Sequence, residues 1–309
     1  MRVLVTGGSG FLGGHLTRTL RSLPGMGVEV ICHAHQTVPE PAAGVTVLRA
    51  DLLDQGETDL LVRRASPDAV AHLAGRNRGS LGQLLEANVV ATGHLLESLR
   101  SLAPGARVVV AGSSAEYGAS SQDPITESAP LLPAGNYGVA KAAQDLLARA
   151  AFRVHGQPVA VARPFNLIGP GQSPDFVCGS IVSQVAAIEK GVCDRLQLDE
   201  TGSRRDFVDS RDVAQAISLL LLHPEFAGRC AGKAFNIGSG RSHSVAEVMM
   251  HLERITGRSY QVDLPVTPPP VAVPTQRSDN RLIMETTGWC PSFSLTQSLT
   301  DMLAVARRP

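Results

Sequence analysis

Aromatic residues are scarce in this sequence, at 4% of 309 residues, and the formal net charge is zero. Proteins that bind nucleic acids usually carry a basic face or aromatic side chains on which bases stack. The longest apolar run, AISLLLL at 216–222, is far shorter than the roughly 20 residues that span a membrane. We therefore expect neither a nucleic acid nor a membrane to be a partner.

Cysteine is also sparse, and no two of the five cysteines are spaced as a CxxC pair. Met1 and Arg2 lead directly into a predicted strand, which is not the pattern of a signal peptide. Scattered cysteines without a secretion signal are expected to be reduced, so we predict a cytoplasmic protein with no metal site. The cysteines are Cys32, Cys178, Cys193, Cys230 and Cys290.

Strands and helices alternate through the first half of the chain, whose composition of 43% hydrophobic and 18% charged residues is ordinary for a globular protein. Short β-branched runs predict buried strands, and amphipathic stretches between them predict helices. This alternation predicts an α/β fold, a Rossmann-type doubly wound parallel sheet that binds ligands beyond the carboxyl ends of its strands. The predicted strands are 2–6, 28–32, 45–48, 68–73, 106–111 and 158–162.

A glycine-rich turn, GGSGFLGG, follows the first predicted strand and opens a helix. Gly7 permits a tight turn, Gly10 lets the backbone approach a pyrophosphate, and Gly13 lets the helix pack on the strand. The N-terminus of the helix then faces the anion. We therefore predict a dinucleotide site that includes these glycines together with Phe11 and Leu12.

The residues after the second predicted strand bear on which dinucleotide is bound. An NAD site usually places Asp or Glu there for the ribose hydroxyls, whereas this chain has His33-Ala-His35-Gln36. Without a carboxylate to repel a 2′-phosphate, NADP(H) is favoured, and since no arginine replaces the acid, NAD(H) stays possible. We predict that His33 contacts the cofactor, with surface histidines in a loop as the alternative interpretation.

Further cofactor contacts are predicted where later strands end, because parallel strands bring their carboxyl ends to one edge of the sheet. Asp51 either caps the next helix or contacts the adenine. Asn88 lies among apolar residues of a predicted long helix, 81–102, so its amide is expected to be buried and to need partners. The predicted contacts at this edge are Asp51, Leu52, Leu73, Ala74, Gly75, Asn88 and Pro164.

The predicted chemistry is concentrated in Tyr137 and Lys141, four residues apart at the head of an amphipathic stretch. On a helix this spacing places both on one face, where a lysine ammonium can lower the pKa of a phenol from about 10. Ser113 follows the fifth strand and can donate a hydrogen bond to a carbonyl oxygen. Together they predict a hydride-transfer site in which Ser113 polarises the substrate, Tyr137 moves the proton and Lys141 tunes Tyr137. Tyr137 and Lys141 are also expected to contact the cofactor.

These motifs together resemble the extended short-chain dehydrogenases/reductases, the NAD-dependent epimerase/dehydratase family. The resemblance rests on the GxxGxxG turn, HLAG after the fourth strand, the serine pair after the fifth, and YxxxK. It continues through ARPFNLIGPGQ, RRDFVDSRDVAQA, KAFNIGSG and TTGWCPSFSLTQSL, which resemble the nucleotide-sugar branch. Within that branch, ARPFNLIGPGQSPDFV and SRRDFVDSRDV are similar to the GDP-6-deoxy-4-keto-D-mannose reductases.

The resemblance implies two domains. An NAD(P)-binding domain is expected at 1–165, with segments from about 205–240 returning to it. A smaller C-terminal α/β domain is expected at 166–309, mainly for binding a sugar nucleotide.

The resemblance also implies which residues meet the substrate. Arg205 is expected to bind the diphosphate, and an ion pair with a nearby aspartate (Asp206, Asp209 or Asp212) is the alternative. The proline-rich segment 264–274, expected to be an extended loop, lacks a second arginine that the family often carries there, and Arg277 is its candidate replacement. The implied substrate contacts are Ser114, Glu116, Asn166, Arg205 and Arg277.

The loop after the fifth strand indicates which reaction of the family is expected. Similar dehydratases carry carboxylates at the positions held here by Ser114 and Ala115, so dehydration is disfavoured. A reductase needs only Ser113, Tyr137 and Lys141. The resemblance therefore implies NAD(P)H-dependent reduction of a 4-keto-6-deoxy sugar nucleotide, with a GDP sugar favoured. An NAD-dependent 4-epimerase is the first alternative, and a dinucleotide-binding protein without catalysis is another.

Two long helices, predicted at 81–102 and 137–155, are expected to pair with their copies in a second subunit. The basis is the family resemblance together with the apolar run AAQDLLARAAF in the second helix. We therefore expect a homodimer held by a four-helix bundle.

Overall fold

The computed structural model describes residues 1–23, 27–35, 44–267 and 273–308. The strands are β1 (Arg2–Thr6), β2 (Glu29–Ala34), β3 (Val45–Arg49), β4 (Ala69–His72), β5 (Arg107–Ala111), β6 (Val159–Pro164), β7 (Asn166–Ile168), β8 (Arg195–Gln197), β9 (Arg204–Asp209), β10 (Ala234–Ile237), β11 (Ser242–Ser244) and β12 (Gln261–Asp263). The helices are α1 (Phe11–Arg21), α2 (Gln55–Ala65), α3 (Leu81–Leu85), α4 (Ala91–Leu102), α5 (Asn136–His155), α6 (Val177–Glu189), α7 (Ser210–Leu221), α8 (Phe226–Arg229), α9 (Val245–Thr256), α10 (Arg281–Thr287) and α11 (Leu295–Ala306).

A seven-stranded sheet with the order β10-β6-β5-β4-β1-β2-β3 forms the centre of the fold, and its neighbouring strands are all parallel. The chain runs from β1 outward to β3 and then returns to β4 on the other side of β1. This reversal opens a crevice beyond the carboxyl ends of β1 and β4, where sheets of this kind bind ligands. The predicted doubly wound parallel sheet is confirmed.

Two hydrophobic clusters cover the two faces of this sheet, because successive strand residues point to opposite faces. In β1, Val3 and Val5 belong to one cluster and Leu4 belongs to the other. Helices α1 and α7 complete the first cluster, and α2, α4 and α5 complete the second. Burial on both faces explains why the strands are runs of Val, Ile and Ala rather than alternating polar and apolar residues.

Two strands extend two residues beyond their predicted ends. His33 and Ala34 continue β2 because they pair with Leu48 and Arg49 of β3. Similarly, β6 continues to Pro164, which pairs with Ile237 of β10. The partner strand, rather than the local sequence, therefore sets these ends.

Two predicted helices also differ in the structure. The helix predicted at 81–102 contains a π-helical turn, Glu86–Val90, between α3 and α4. π-Helical turns inside helices often lie at functional sites. A second helix, which the sequence predicts over 173–191, begins at Val177 instead, because Ser173 forms a turn in which its hydroxyl accepts the N–H of Asp175.

The C-terminal part forms a smaller lobe with a three-stranded sheet, order β11-β9-β7, and a two-stranded sheet of β8 and β12. A third hydrophobic cluster joins these strands to α6, α9 and α11. Strand β10 returns to the main sheet beside β6, whereas β9 stays in the small sheet. The division at residue 165 remains a prediction.

Parts of two predictions, Gln36 and positions 268–272 of the proline-rich segment, lie outside the described residues. Within the described ranges, no helix is long and apolar enough to cross a membrane.

Candidate active site

The turns after β1 and β4 lie directly against each other at the edge of the sheet. Gly7 follows β1 with φ +68°, and a Cβ added there would lie 2.8 Å from the amide nitrogen of Ala74. A side chain on Gly13 would overlap the carbonyl oxygen of Gly7. Because only glycine fits at both positions, no side chain of these two residues covers the turn, and a ligand can approach its backbone closely.

The first turn of α1 can bind an anion through its backbone amide groups. The helix begins at Phe11 with Gly10 as its N-cap, no side chain caps it, and its first turn holds no acidic residue. The first amide groups of a helix lack partners within the helix and attract negative charge. This part of the chain, including Leu12, therefore fits the pyrophosphate of a dinucleotide.

Asn88 packs against the turn after β4 and hydrogen-bonds to its backbone. It is 1% exposed, and its Nδ2 donates to the carbonyl oxygens of Arg76 at 2.9 Å and Leu84 at 2.8 Å. Its Oδ1 occupies the space that a side chain on Gly75 would need. The amide is buried and has partners, as expected, but both of its N–H groups are used within the protein. A cofactor contact by Asn88 would therefore have to come from Oδ1, and it remains a prediction.

The end of β2 differs from the prediction at the two histidines. His33 lies inside the strand, is 3% exposed, and places Nε2 3.0 Å from the carbonyl oxygen of Ala50. Burial lowers the pKa of His33, so its ring is neutral at pH 7. The surface loop is wrong for His33, whereas the cofactor contact remains a prediction, because Nδ1 is buried with no partner among the described residues. His35, whose side chain is 55% exposed and lies 3.7 Å from Asp51, takes the position at the strand end.

Asp51 and Leu52 follow β3 and differ in exposure. The carboxylate of Asp51 accepts the N–H of Leu53 at 2.9 Å and keeps 43% of its side chain exposed. The side chain of Leu52 is buried in the second hydrophobic cluster. Asp54, not Asp51, caps α2, so the second interpretation of Asp51, a contact with the adenine, is the one left open.

The remaining cofactor candidates line the crevice in different ways. Leu73 and Ala74 are half-buried, and their amide groups donate to Oγ1 of Thr6 at 3.2 and 3.3 Å. Pro164 is buried at the end of β6. Contacts from the turn after β4 would therefore come from side chains and carbonyl oxygens.

Ser113 and Tyr137 meet at the centre of the site. Oγ of Ser113 accepts the N–H of Ala115 at 3.1 Å, and the hydroxyl of Tyr137 hydrogen-bonds with Ser113. Burial raises the pKa of Tyr137, the Ser113 hydrogen bond opposes this, and Glu116 adds to it. Tyr137 therefore keeps its proton at neutral pH.

Lys141 lies one helical turn beyond Tyr137 and is 5% exposed. Its Nζ donates to the carbonyl oxygen of Ala111 and, at 2.5 Å, to Oε1 of Gln144. Burial lowers the pKa of Lys141 to about 8. Burial dominates at Tyr137 and the ammonium is held by Ala111 and Gln144, so the lowering of the Tyr137 pKa by Lys141 remains a prediction.

Arg163 ties the loop after β5 to α5 from inside the protein. It is 1% exposed, and its guanidinium lies 2.9 Å from Glu116 and 2.8 Å from Asp145, and donates to the hydroxyl of Tyr117 at 2.6 Å. Glu116 has no exposed surface, and its other oxygen accepts the N–H of Ser113 at 2.7 Å. The predicted substrate contact by Glu116 is therefore not supported; it fixes the backbone of Ser113 instead.

Gln276 holds the same loop from the other side. Its Nε2 donates to the carbonyl oxygens of Ser114 and Gly118, each at 3.1 Å, and its Oε1 accepts the hydroxyl of Ser114 at 3.3 Å. Ser114 is 5% exposed, so the structure does not support its predicted contact with substrate. Its hydroxyl is used to keep the loop in place.

Arg205 is a half-buried cation with few partners. Its Nη1 donates to the carbonyl oxygen of Arg204 at 3.0 Å, and in the described part of the chain it has no carboxylate within ion-pair distance. Arg204 pairs with Glu247 at 3.0 Å. The aspartates suggested as alternative partners of Arg205 have others: Asp206 accepts from Ser239, Gly240 and Ser278, Asp209 from Arg211 and Ser298, and Asp212 from Ser292 and Phe293. The structure therefore leaves Arg205 without an ion pair among the described residues, with Glu200 as the carboxylate whose charge acts on it.

The two remaining substrate candidates differ. Asn166 is half-buried in β7, and its Nδ2 is buried with no partner among the described residues, as expected of a group that binds a ligand. Arg277 is part-exposed and pairs with Asp123 at 2.8 Å. A phosphate contact by Arg277 would have to replace this ion pair.

Sequence reasoning missed Gln144, Arg163 and Gln276, which hold the catalytic residues in place. Arg163 lies in the quoted segment ARPFNLIGPGQ, and Gln144 lies three residues after Lys141, so spacing alone could have singled out Gln144. The sequence carries no local signal for Gln276, which is 162 residues from its partner Ser114. Across the described residues, no group of three or more His, Cys, Asp or Glu could hold a metal ion.

Comparison with known proteins agrees with this geometry. Residues 3–238 match the model of the NAD dependent epimerase/dehydratase family. The chain is 32% identical to GDP-6-deoxy-D-mannose reductase of Pseudomonas aeruginosa, over 98% of this chain and 96% of that protein. It is 31% identical to dTDP-6-deoxy-L-talose 4-dehydrogenase (NAD(P)(+)) of Kitasatospora kifunensis, over 97% and 94%.

A solved structure, RMD from Pseudomonas aeruginosa complexed with NADPH, superimposes with a TM-score of 0.86 at 28% identity, covering 99% of each chain. The match of the family model over most of the chain, the relatives above 30% identity and the parallel sheet agree. The protein belongs to the NAD-dependent epimerase/dehydratase family of extended short-chain dehydrogenases/reductases.

Proposed function

We propose that the protein is an NADPH-dependent 4-ketoreductase of a 4-keto-6-deoxy sugar nucleotide, with GDP-4-keto-6-deoxy-D-mannose as the first candidate. The observation that carries the proposal is the hydrogen bond between the side chains of Ser113 and Tyr137, together with Ala115 in the place where a further acid or base would stand. A hydroxyl pair can polarise and protonate a ketone, but elimination of water needs a further acid or base, which Ala115 does not supply. The similarity to a GDP-6-deoxy-D-mannose reductase over nearly the full chain supports the same choice.

In this mechanism the hydroxyl groups of Ser113 and Tyr137 bind the ketone oxygen at C4 of the sugar. When bound, the reduced nicotinamide supplies the hydride that C4 receives. Tyr137 then gives its proton to the alkoxide, and its raised pKa keeps that proton in place until it is needed. Lys141 uses two of its three N–H groups on Ala111 and Gln144, which leaves one to face the ligands.

NADPH is the proposed cofactor, with NADH as the alternative. The strand end that carries a carboxylate in NAD-selective sites carries His35 here, so the strand end itself has no carboxylate to repel a 2′-phosphate. Asp51 lies next to His35 and is free to contact the adenine. The similar structure of RMD from Pseudomonas aeruginosa is complexed with NADPH, which supports this preference.

The sugar nucleotide is proposed to lie between the catalytic pair and the smaller lobe. Arg205 would bind the diphosphate, because a guanidinium can donate two parallel hydrogen bonds to phosphate oxygens. Asn166, with its unpartnered buried Nδ2, would donate to the ligand between Arg205 and Tyr137.

An NADPH-oxidation assay tests the proposed reaction. With GDP-4-keto-6-deoxy-D-mannose, absorbance at the reduced nicotinamide band should fall in step with formation of a GDP-6-deoxyhexose. GDP-mannose, which has no 4-keto group, is the matched control and should leave NADPH unchanged. Failure to oxidise NADPH or NADH with any GDP, dTDP or UDP 4-keto sugar would refute reduction. Interconversion of sugar nucleotides without net consumption of cofactor would assign the 4-epimerase alternative.

We also propose that the protein is a homodimer through the helical face formed by α3, the π-helical turn and α5. These elements pack side by side and present exposed apolar side chains. An exposed apolar face of this extent is typical of a surface that pairs with its copy. The exposed residues are Leu81, Val90, Val139, Leu146 and Val154.

Leu146→Glu should convert the dimer to a monomer at micromolar concentration. A carboxylate at the centre of the seam, the contact between the two helical faces, would be buried without a partner. Light scattering would measure the mass of both proteins. Val192→Glu, at a site that is 76% exposed and outside the seam, is the matched control and should leave the mass unchanged. A wild-type protein that is already monomeric would contradict the proposed seam.

A further inference from the structure

A buried row of polar side chains runs from the catalytic lysine to the centre of the sheet. Lys141 donates to Oε1 of Gln144 at 2.5 Å, and Nε2 of Gln144 donates to Oγ1 of Thr92 at 2.7 Å. Nε2 of His72 lies 2.9 Å from the same hydroxyl, and its Nδ1 lies 2.7 Å from Oγ1 of Thr6. All five side chains are at most 5% exposed.

The hydroxyl proton of Thr92 determines the direction of the hydrogen bonds in this row. The hydroxyl of Thr92 donates to the carbonyl oxygen of Asn88 at 2.5 Å, so it can only accept from Gln144 and from Nε2 of His72. Nδ1 of His72 then accepts from the hydroxyl of Thr6. Burial, together with the charge of Lys141, lowers the pKa of His72 to about 3, which agrees with this neutral tautomer. Each of these donors therefore has an acceptor.

The far end of the row reaches the two turns that would carry the dinucleotide. Oγ1 of Thr6 accepts the amide groups of Leu73 and Ala74, in the turn after β4. Thr6 itself immediately precedes Gly7, the first residue of the glycine-rich turn. The row thus connects the lysine ammonium to both turns through side chains that are 20 to 66 residues apart.

We propose that Gln144 is a positioning residue for Lys141, and that the row Gln144–Thr92–His72–Thr6 fixes the ammonium relative to the two dinucleotide-binding turns. Its catalytic meaning rests on the reductase function proposed above, but the placement of the ammonium does not. A neutral amide suits this position because it accepts from Lys141 and donates to Thr92 at once, which neither a carboxylate nor an alkyl side chain can do.

Other titratable groups face Lys141 and must be kept constant in a test. Glu116 faces it from the loop after β5, Asp145 from its own helix, and His72 from β4. Changing Gln144 alone leaves all three in place. A change in the pKa of Lys141 can then be assigned to the lost or altered acceptor.

The test is a pH titration of the lysine side chains by NMR in the full-length protein, without substrate. The chain has three lysines, Lys141, Lys190 and Lys233, so labelling with ¹³C,¹⁵N-lysine gives three side-chain signals, and Lys141→Arg assigns the first. Gln144→Met removes the acceptor and should lower the pKa of Lys141 by about one to two units. Gln144→Glu places a carboxylate against the ammonium and should raise it by at least about one unit.

Gln157→Met is the matched control. Gln157 is likewise a buried glutamine, 5% exposed, whose Nε2 donates to the carbonyl oxygen of Leu96. Its loss should leave the pKa of Lys141 unchanged even if it costs stability. Should Gln144→Met fail to fold, the rise in Gln144→Glu decides alone.

An unchanged pKa of Lys141 in Gln144→Glu, or shifts in the same direction in both Gln144 variants, would overturn the proposal. Because the titration needs no substrate, a protein that reduces no 4-keto sugar but shows the opposite shifts would lose its proposed function and keep the positioning role. The reverse result, reduction of the ketone with no shift at Lys141, would keep the function and reject the role of Gln144.

Discussion

Tyr137→Phe should lower the turnover number for the 4-keto sugar by about a thousandfold, with NADPH still bound. General acid catalysis by a positioned side chain contributes about a hundred- to ten-thousandfold, and the phenol is the group placed to protonate the alkoxide. The substitution removes one oxygen and keeps the ring, so the crevice for the cofactor keeps its shape. NADPH oxidation at saturating substrate measures turnover, and the quenching or enhancement of nicotinamide fluorescence measures binding.

The matched control for this prediction is Tyr260→Phe. The hydroxyl of Tyr260 donates to Oγ1 of Thr256 at 2.8 Å in the smaller lobe, so the control also loses one phenolic hydrogen bond. It should keep turnover within about twofold of the wild type. Turnover of Tyr137→Phe within tenfold of the wild type would mean that another group supplies the proton, and Ser113 would be the next to examine.

The fold could be predicted from the sequence because its signals are local. The run RVLVT followed by a glycine-rich turn predicts a buried strand that leads into a helix, and the structure has β1 and α1 there. The errors lie at ends that depend on distant partners. His33 looked like a loop residue, but pairing with Leu48 of β3 keeps it inside a strand. A strand partner 15 residues away, as Leu48 is from His33, leaves no mark on the local pattern.

The same distinction holds for the candidate site. Tyr137 and Lys141 are close in sequence, and helical spacing predicts their shared face. The structure also brings Ser113 to Tyr137, as expected from two segments that end at one edge of the sheet. What spacing could not predict is that Glu116, a candidate substrate contact, is turned inward by a buried arginine. That contact joins residues 47 positions apart, and only the packed interior shows it.

Arg163→Met should destabilise the protein by about 3–5 kcal/mol in urea unfolding, because it leaves buried carboxylates without their cation. Arg163 lies between Glu116 and Asp145, neither of which is exposed, and Arg149 would remain as a partner of Asp145 at 2.5 Å. Among the described residues, Glu116 has no second cation within ion-pair distance, and besides Arg163 only the more distant charge of Lys141 acts on it. Most of the loss in stability is therefore expected from Glu116.

Arg195→Met is the matched control, since it makes the same substitution in an ion pair at the surface. Arg195 and Asp263 lie 2.6 Å apart with about two fifths of each side chain exposed. Exposed pairs contribute about 0–1 kcal/mol, so this variant should unfold close to the wild type. Equal losses in the two variants would mean that the buried pair has no special role.

The pH dependence of the loss identifies its source. Burial already raises the pKa of Glu116 in the folded protein, Arg163 opposes this rise, and removing Arg163 should raise the pKa further. A carboxyl whose pKa is higher in the folded than in the unfolded protein binds more protons when folded. Stability then falls as pH rises between the two pKa values, by up to about 1.4 kcal/mol per pH unit.

The deficit of Arg163→Met should therefore be constant below the wild-type pKa of Glu116, about 7, where the carboxyl is protonated in both folded proteins, and it should grow as pH rises above that value. Adding Glu116→Gln removes the charge and should recover part of the loss at pH 8, while changing little near pH 4.5. A deficit that does not grow between pH 7 and pH 9 would instead assign the loss to packing around the shorter side chain. The buried carboxylate would then be protonated throughout, and Glu116 would hold Ser113 as a neutral acid whose remaining carbonyl oxygen accepts the amide.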